Sequence, residues 1–301
     1  VRVAAIDCGT NSIRLLIADT DGTSLTELSR RMEIVRLGQG VDRTGRLDAA
    51  ALDRALSVLR DYAAELRTAN ASRVRMVATS ATRDASNRDD FVRGVRHVLG
   101  IDPEVVTGDE EAALSFAGAT RELTAAAPYL VVDIGGGSTE FVLGSQRVEA
   151  ASSVDVGCVR LTERHLHTDP PIPAQVSAAS ADIDEAIARV RAAVPAERAR
   201  TLVGLAGSVT TVAAMALDLS EYDAERIHHS RISFDDVHRV AEQLLAMSHA
   251  ERAAIPVMHP GRADVIGAGA LILATLMDRL GFSEVVVSEH DILDGIAWSL
   301  A

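Results

Sequence analysis

Two short patterns in the chain have the residue types to hold an anion. Asp7-x-Gly9-x-x-Ser12 and Asp133-x-Gly135-x-x-Ser138 share one spacing, stand 126 positions apart, and are each flanked by branched apolar runs. Glycine in a turn between two strands lets backbone N–H groups converge on an anion, because the missing Cβ permits positive φ and close approach. Gly135, Gly136 and Gly137 make the strongest such run in the chain. A hairpin that needs glycine only to turn would have the same composition, and the neighbouring acids tip the balance. Asp7 and Asp133 stand where a strand ends and the turn begins, and Glu140 follows the second turn, so carboxylates accompany both cradles. Hard oxygen ligands of this kind suit Mg²⁺ bridging protein and phosphate.

Three further places have two readings each. The turn Ala206-Gly207-Ser208 opens a helix and could offer its N–H groups to another phosphate, although strand-to-helix turns of this composition are common without a ligand. Gly108-Asp109-Glu110-Glu111 stands at a helix start, where acids complement the helix dipole. The same position would let a carboxylate orient and deprotonate a water attacking phosphorus. Arg83, in TSATRDASN just past a strand end, is either a binding residue or a solvated arginine.

The elements that carry these residues follow from periodicity. Residues 2–7 and 13–19 read as strands about the CGTNS turn, with a third strand within 24–36. Leu52, Leu56, Leu59, Ala63 and Leu66 form one helical stripe. Short strands at 76–79 and 104–107 bracket a helix at 88–99. From residue 129 the opening theme returns as YLVVD, IGGGS and TEFVLG, a repeat that predicts two domains of like architecture facing each other. A helix at 174–194, a strand at 201–206, helices from 207, from Ser233 and over 262–281, a strand at 284–288 and a terminal helix complete the α/β alternation. The loop at 122–128 divides the chain into domains 1–124 and 125–301, with the last helix, 290–301, packing back on the first.

Composition narrows the partners. The 301 residues are enough for two cores, and 43 acidic against 30 basic residues leave a net charge of −13, which argues against a nucleic-acid footprint. Every basic residue of the Lys and Arg class is arginine, so a Walker A lysine and Schiff-base chemistry are excluded. Phosphate must be met by arginine, backbone amides or a metal. Cys8 and Cys158 form no C-x-x-C pair, and no apolar run approaches a membrane span, which leads to the expectation of a cytoplasmic protein without membrane contact.

DCGTNS (7–12), ATRDASN (81–87), GDEEA (108–112), VVDIGGGSTE (131–140), VGCVRLTE (156–163), AGSVTT (206–211) and RADVIGAGALIL (262–273) stand in an order and spacing that resembles the exopolyphosphatase and guanosine pentaphosphate phosphohydrolase family. The resemblance spans the whole chain, and DIGGGSTE is its most specific run. It implies a two-lobed, duplicated actin-like (ribonuclease H-like) fold with the site in the cleft between lobes. It also implies Mg²⁺-assisted hydrolysis of the terminal phosphate of linear inorganic polyphosphate. By motif, Glu111 matches the water-activating base, and Asp7, Asp133 and Glu140 match the metal-associated acids. Thr10, Asn11, Ser12, Gly135, Gly136, Gly137 and Ser138 match phosphate-contacting loops; Arg83 faces the cleft, and Gly207 and Ser208 stand in the third turn. Guanosine pentaphosphate hydrolysis, a sensor that binds (p)ppGpp or polyphosphate without turnover, and the superfamily's kinases and filament-forming nucleotide binders are the alternatives, and a homodimer is expected by resemblance alone. Many members have serine at the place of Thr10 and a longer carboxy-terminal region, from which distributive action on shorter polyphosphates is expected.

Overall fold

A computed structural model describes all 301 residues. Contacts divide the chain into two compact units, Val1–Gly118 with Ile292–Ala301, and Ala119–Asp291.

The first unit holds five strands, β1 (Arg2–Cys8), β2 (Ser12–Thr20), β3 (Leu25–Ile34), β4 (Arg73–Ala78) and β5 (Glu104–Val105). Their order in the sheet is β3-β2-β1-β4-β5, with β1, β2 and β3 an antiparallel meander and β4 and β5 parallel to β1. Alternation along β1 and β2 sorts the core into two layers. Ala4, Ile6, Ile13 and Leu15 pack against Leu59 and Tyr62 of the helix Ala49–Ala69, whereas Val3, Ala5 and Leu16 pack against Ile292 and Ile296 of the terminal helix Ile292–Trp298. The long helix starts where Asp48 accepts the Ala50 and Ala51 N–H groups and stops at Asn70 in the left-handed region, φ 54°. The terminal helix is held by Arg30, whose Nη2 lies 2.6 Å from Asp294 Oδ1. It lies so close to the helix Gly108–Thr120 that a Cβ at Gly295 would come within 2.0 Å of the Leu114 carbonyl oxygen.

The second unit holds β6 (Tyr129–Ile134), β7 (Thr139–Gly144), β8 (Val148–Val154), β9 (Thr201–Leu205), β10 (Arg231–Ser233) and β11 (Glu284–Val287). The sheet order is β10-β11-β9-β6-β7-β8. Without the added edge strand β10, this is the order of the first unit repeated: an antiparallel meander β6, β7, β8, then β9 and β11 parallel to β6. The repeat read from two matched turns is therefore a repeat of whole sheets. Leu130, Val132 and Ile134 of β6 join Ile183, Ile187, Val240, Ile272 and Leu276 from three helices in one core.

Several elements differ from the expected ones, three of them beside the residues singled out above. The segment 148–154 is a strand, the segment 158–165 is a helix, and the helix expected from residue 262 begins at Ile266, because Pro260–Arg262 form a 3₁₀ turn. No helix is long and apolar enough to cross a membrane.

Candidate active site

The residues singled out above gather at the carboxyl ends of the parallel strands within each unit, the edge at which open α/β sheets bind ligands.

In the first unit, the Gly9 N–H closes the turn after β1 on the Ser12 carbonyl at 3.0 Å. The carbonyls of Thr10 and Asn11 are taken from behind: Val35 and Arg36 N–H donate to Asn11, and Gly38 N–H donates to Thr10, at 2.8–3.0 Å. The amides of Thr10 and Asn11 meet no backbone acceptor. Thr10 Oγ1 also shares a hydrogen bond of 2.8 Å with Ser80 Oγ. The extra methyl of threonine at this place is accommodated because residue 38 is glycine; a Cβ there would lie 2.2 Å from Thr10 Cγ2.

Asp7 stands directly across the hairpin from Arg14. Its Oδ2 accepts from Arg14 Nε at 3.0 Å and from Nη2 at 2.6 Å, so the arginine neutralises this carboxylate. The next strand end carries Arg83, whose Nη1 donates to the Val106 carbonyl (3.0 Å) and to Glu111 Oε2 (2.9 Å). Glu111 is buried, 8% exposed, in the first turn of the helix Gly108–Thr120, and Arg83 fixes the direction of its carboxylate. The structure thus brings together Arg83 and Glu111, two residues whose roles the local sequence leaves open.

The second unit repeats the turn. Gly135 N–H donates to the Ser138 carbonyl at 3.0 Å, the counterpart of Gly9 and Ser12. Here the carbonyls are held by the first amides of the helix Cys158–His165: Cys158 N–H donates to Gly135 at 3.0 Å, and Val159 and Arg160 N–H donate to Gly136 at 2.9 and 3.1 Å. Arg160 Nε adds a hydrogen bond of 2.6 Å to the Gly137 carbonyl. The amides of Gly136, Gly137 and Ser138 meet no backbone acceptor, and successive N–H groups left over in this way suit an anion.

Asp133 stands across the hairpin from Glu140, at the position where Asp7 faces Arg14. The two carboxylates are 7% and 1% exposed and project from the same face of adjacent strands, and Glu140 Oε1 accepts a hydrogen bond of 2.7 Å from Ser153 Oγ. One hairpin is charge-neutral at this position and the other carries two acids. Opposed buried carboxylates with oxygen-only donors suit a hard divalent cation, so the residues present fit Mg²⁺ at Asp133 and Glu140. At Asp7 a cation would have to compete with Arg14.

The third turn follows β9, whose Leu205 pairs with Asp133. Ala206 takes a left-handed φ of 69°, and Arg262 lies directly over Gly207, where a Cβ would overlap its guanidinium. Ser208 turns its hydroxyl inward: a Cβ at Gly269 would come within 2.2 Å of Ser208 Oγ and 3.4 Å of Cys158 Cβ. Burial pushes the thiol of Cys158 up, outweighing Ser208 and Arg262, which pull it down.

Sequence reasoning missed Arg14, Ser80, Gly157 and Arg262. Gly157 has the clearest consequence. A Cβ there would lie 2.4 Å from the Gly136 oxygen and 2.6 Å from the Gly137 nitrogen, both backbone atoms of the cradle. Its own backbone, φ −150° and ψ 164°, is open to any residue, so the requirement for glycine is one of space. Gly157→Ala is expected to shift the cradle by about 1 Å and lower kcat/KM for a phosphate substrate by roughly 100-fold. Steady-state kinetics beside a thermal melt would check this, since overpacking costs only about 1–3 kcal/mol of stability.

Residues 16–301 match the sequence profile of the Ppx/GppA phosphatase family. Exopolyphosphatase 2 of Mycobacterium tuberculosis is 53% identical over 314 aligned positions, covering 100% of this chain and 98% of that protein. Among solved structures, an exopolyphosphatase-like protein superposes with a TM-score of 0.95 at 44% identity, covering 98% of this chain and 97% of that one. An exopolyphosphatase from Cytophaga hutchinsonii superposes with a TM-score of 0.89 at 28% identity, covering 100% and 97%.

Proposed function

Since this chain belongs to the Ppx/GppA phosphatase family, we propose that it is an exopolyphosphatase, hydrolysing the terminal phosphoanhydride bond of linear inorganic polyphosphate. The observation that carries this reading is the amide cradle, backed by donors to its carbonyls, that each unit repeats, with a buried, arginine-held carboxylate in the first.

Phosphoryl transfer asks for little covalent chemistry from a protein; positioning and charge do most of it. Glu111 accepts a proton from water as the water oxygen bonds to the terminal phosphorus. The bridging P–O bond breaks, the shortened chain leaves with the bridging oxygen, and orthophosphate is released. Arg83, donating to Glu111 Oε2, keeps the base aimed. Within the second unit the amides of Gly136, Gly137 and Ser138 form a preorganised set of donors for phosphate oxygens, and the turn of Thr10 and Asn11 is its counterpart within the first. Asp133 and Glu140 would hold Mg²⁺, which when bound screens the charge on phosphate oxygens. Asp7 serves chiefly to orient Arg14, placing a guanidinium beside the first cradle.

Orthophosphate release by the purified protein with Mg²⁺ tests the proposal, using polyphosphate, guanosine 5′-triphosphate 3′-diphosphate and ATP in parallel. The expected order puts polyphosphate first in kcat/KM. A preference for the guanosine nucleotide would assign the chain to the other activity in the family's name, and binding without turnover would make it a sensor.

A further inference from the structure

Besides the paired carboxylates, the second unit holds a cluster with a different donor chemistry. Glu122, His228 and His290 come from three separate segments, and one ligand atom from each lies within 4.8 Å of the other two. Glu122 follows the helix Gly108–Thr120, His228 caps the helix Ala224–Ile227, and His290 lies just past β11. The rings of His228 and His290 are 4.5 Å apart, and His229 stacks on His228 at 3.7 Å.

The backbone holds the cluster in place. His229 takes a left-handed φ of 61°, a cost for a residue with a Cβ, while its N–H donates to the Val287 carbonyl at 2.6 Å. His229 Nε2 and Ser230 Oγ are buried without a hydrogen-bond partner. Ser288 Oγ accepts from the His290 N–H at 3.1 Å and donates to the His290 carbonyl at 2.7 Å, fixing the direction in which His290 leaves the strand. Glu289 N–H donates to His228 Nδ1 at 3.1 Å.

We infer that Glu122, His228 and His290 form a binding site for a divalent transition-metal ion of the Zn²⁺ type, separate from the Asp133 and Glu140 pair. Two imidazole nitrogens and one carboxylate oxygen are a borderline donor set that suits Zn²⁺ or Co²⁺, whereas Mg²⁺ takes oxygen. Metal–ligand bonds of about 2.0–2.1 Å in a tetrahedron put ligand atoms roughly 3.4 Å apart. His290 Nδ1 and Glu122 Oε2 are already at 3.5 Å, and no pair need close by more than about 1.4 Å. At His228 an ion bound through Nδ1 takes the place of the Glu289 N–H. Three protein ligands leave a fourth position for water. The ion would tie the segment that follows Gly118 to the one that precedes Ile292, the two places where the chain passes between its compact units.

The experiment is titration of the full, tag-free, chelator-treated protein with Zn²⁺ and with Co²⁺, without polyphosphate, followed by calorimetry and by cobalt visible absorption. The wild-type protein is expected to bind one equivalent with the absorption of a mixed nitrogen and oxygen site of low coordination number. His290→Ala, at a partly exposed position, and Glu122→Gln, at an exposed one, should weaken that binding by more than about tenfold, the scale of even an outer-shell partner. Asp133→Asn should leave it intact. Saturable binding that is unaffected by both cluster variants, loss of the same binding in Asp133→Asn, or no saturable binding in the wild type would each overturn the inference.

Discussion

Glu111→Gln is expected to abolish phosphate release at the level of ordinary assays while polyphosphate binding persists. Glutamine keeps the shape and can still accept from Arg83, but it cannot take a proton from water. Removal of a general base typically costs about 10²–10⁴-fold in rate, or roughly 3–5.5 kcal/mol of transition-state stabilisation. The loss should fall on kcat and leave KM within a small factor, because no direct phosphate contact is removed. The pair is only partly shielded, with the side chain of Arg83 24% exposed, so melting temperature should fall modestly. Turnover retained within a factor of a few would remove Glu111 from the mechanism.

The second large effect is expected at Glu140. Glu140→Gln halves the charge of the pair it forms with Asp133 and keeps the acceptor for Ser153. Two consequences of opposite sign follow. Without divalent cation the variant should be at least as stable as the wild type, since like charges directly across a sheet destabilise by roughly 0.2–1 kcal/mol. With Mg²⁺ the wild type should gain stability by mass action and the variant should gain much less. Activity at saturating Mg²⁺ should drop by roughly 100- to 1,000-fold, the usual effect of losing one preorganised charge interaction. Differential scanning calorimetry with and without Mg²⁺ separates the two contributions. Equal Mg²⁺ stabilisation of both proteins would place the cation elsewhere.

The two hairpins were legible because turn chemistry and alternation are local. Two domains of like architecture followed from their spacing and from the apolar runs around them, while the actin-like fold rested on the family resemblance. The antiparallel register was legible too, though its consequence was missed: a residue seven positions after each aspartate lies across from it, and that residue is Arg14 in one copy and Glu140 in the other. Read that way, the sequence already distinguishes a neutral hairpin from a doubly acidic one. The buttresses were not legible. Gly157 matters through backbone atoms of Gly136 and Gly137, 21 and 20 positions earlier, and Arg262 reaches Gly207 from 55 positions further on. Neither relation leaves a periodic trace. The strand Val148–Val154 was missed because Ala150, Ala151, Ser152 and Ser153 lack the branched side chains that mark a strand, although Ser153 is the partner of Glu140. The helix Cys158–His165 escaped because it is two turns long, too short for a hydrophobic stripe to declare itself.

The most direct measurement of the central claim is a ³¹P NMR time course of the purified protein with Mg²⁺ and polyphosphate of defined length. Terminal hydrolysis predicts that orthophosphate grows while internal phosphates decline and the number of chain ends stays constant until the chains are short. A rise in chain ends ahead of orthophosphate would mean internal cleavage, and an unchanged spectrum would mean no hydrolysis; either would contradict the account.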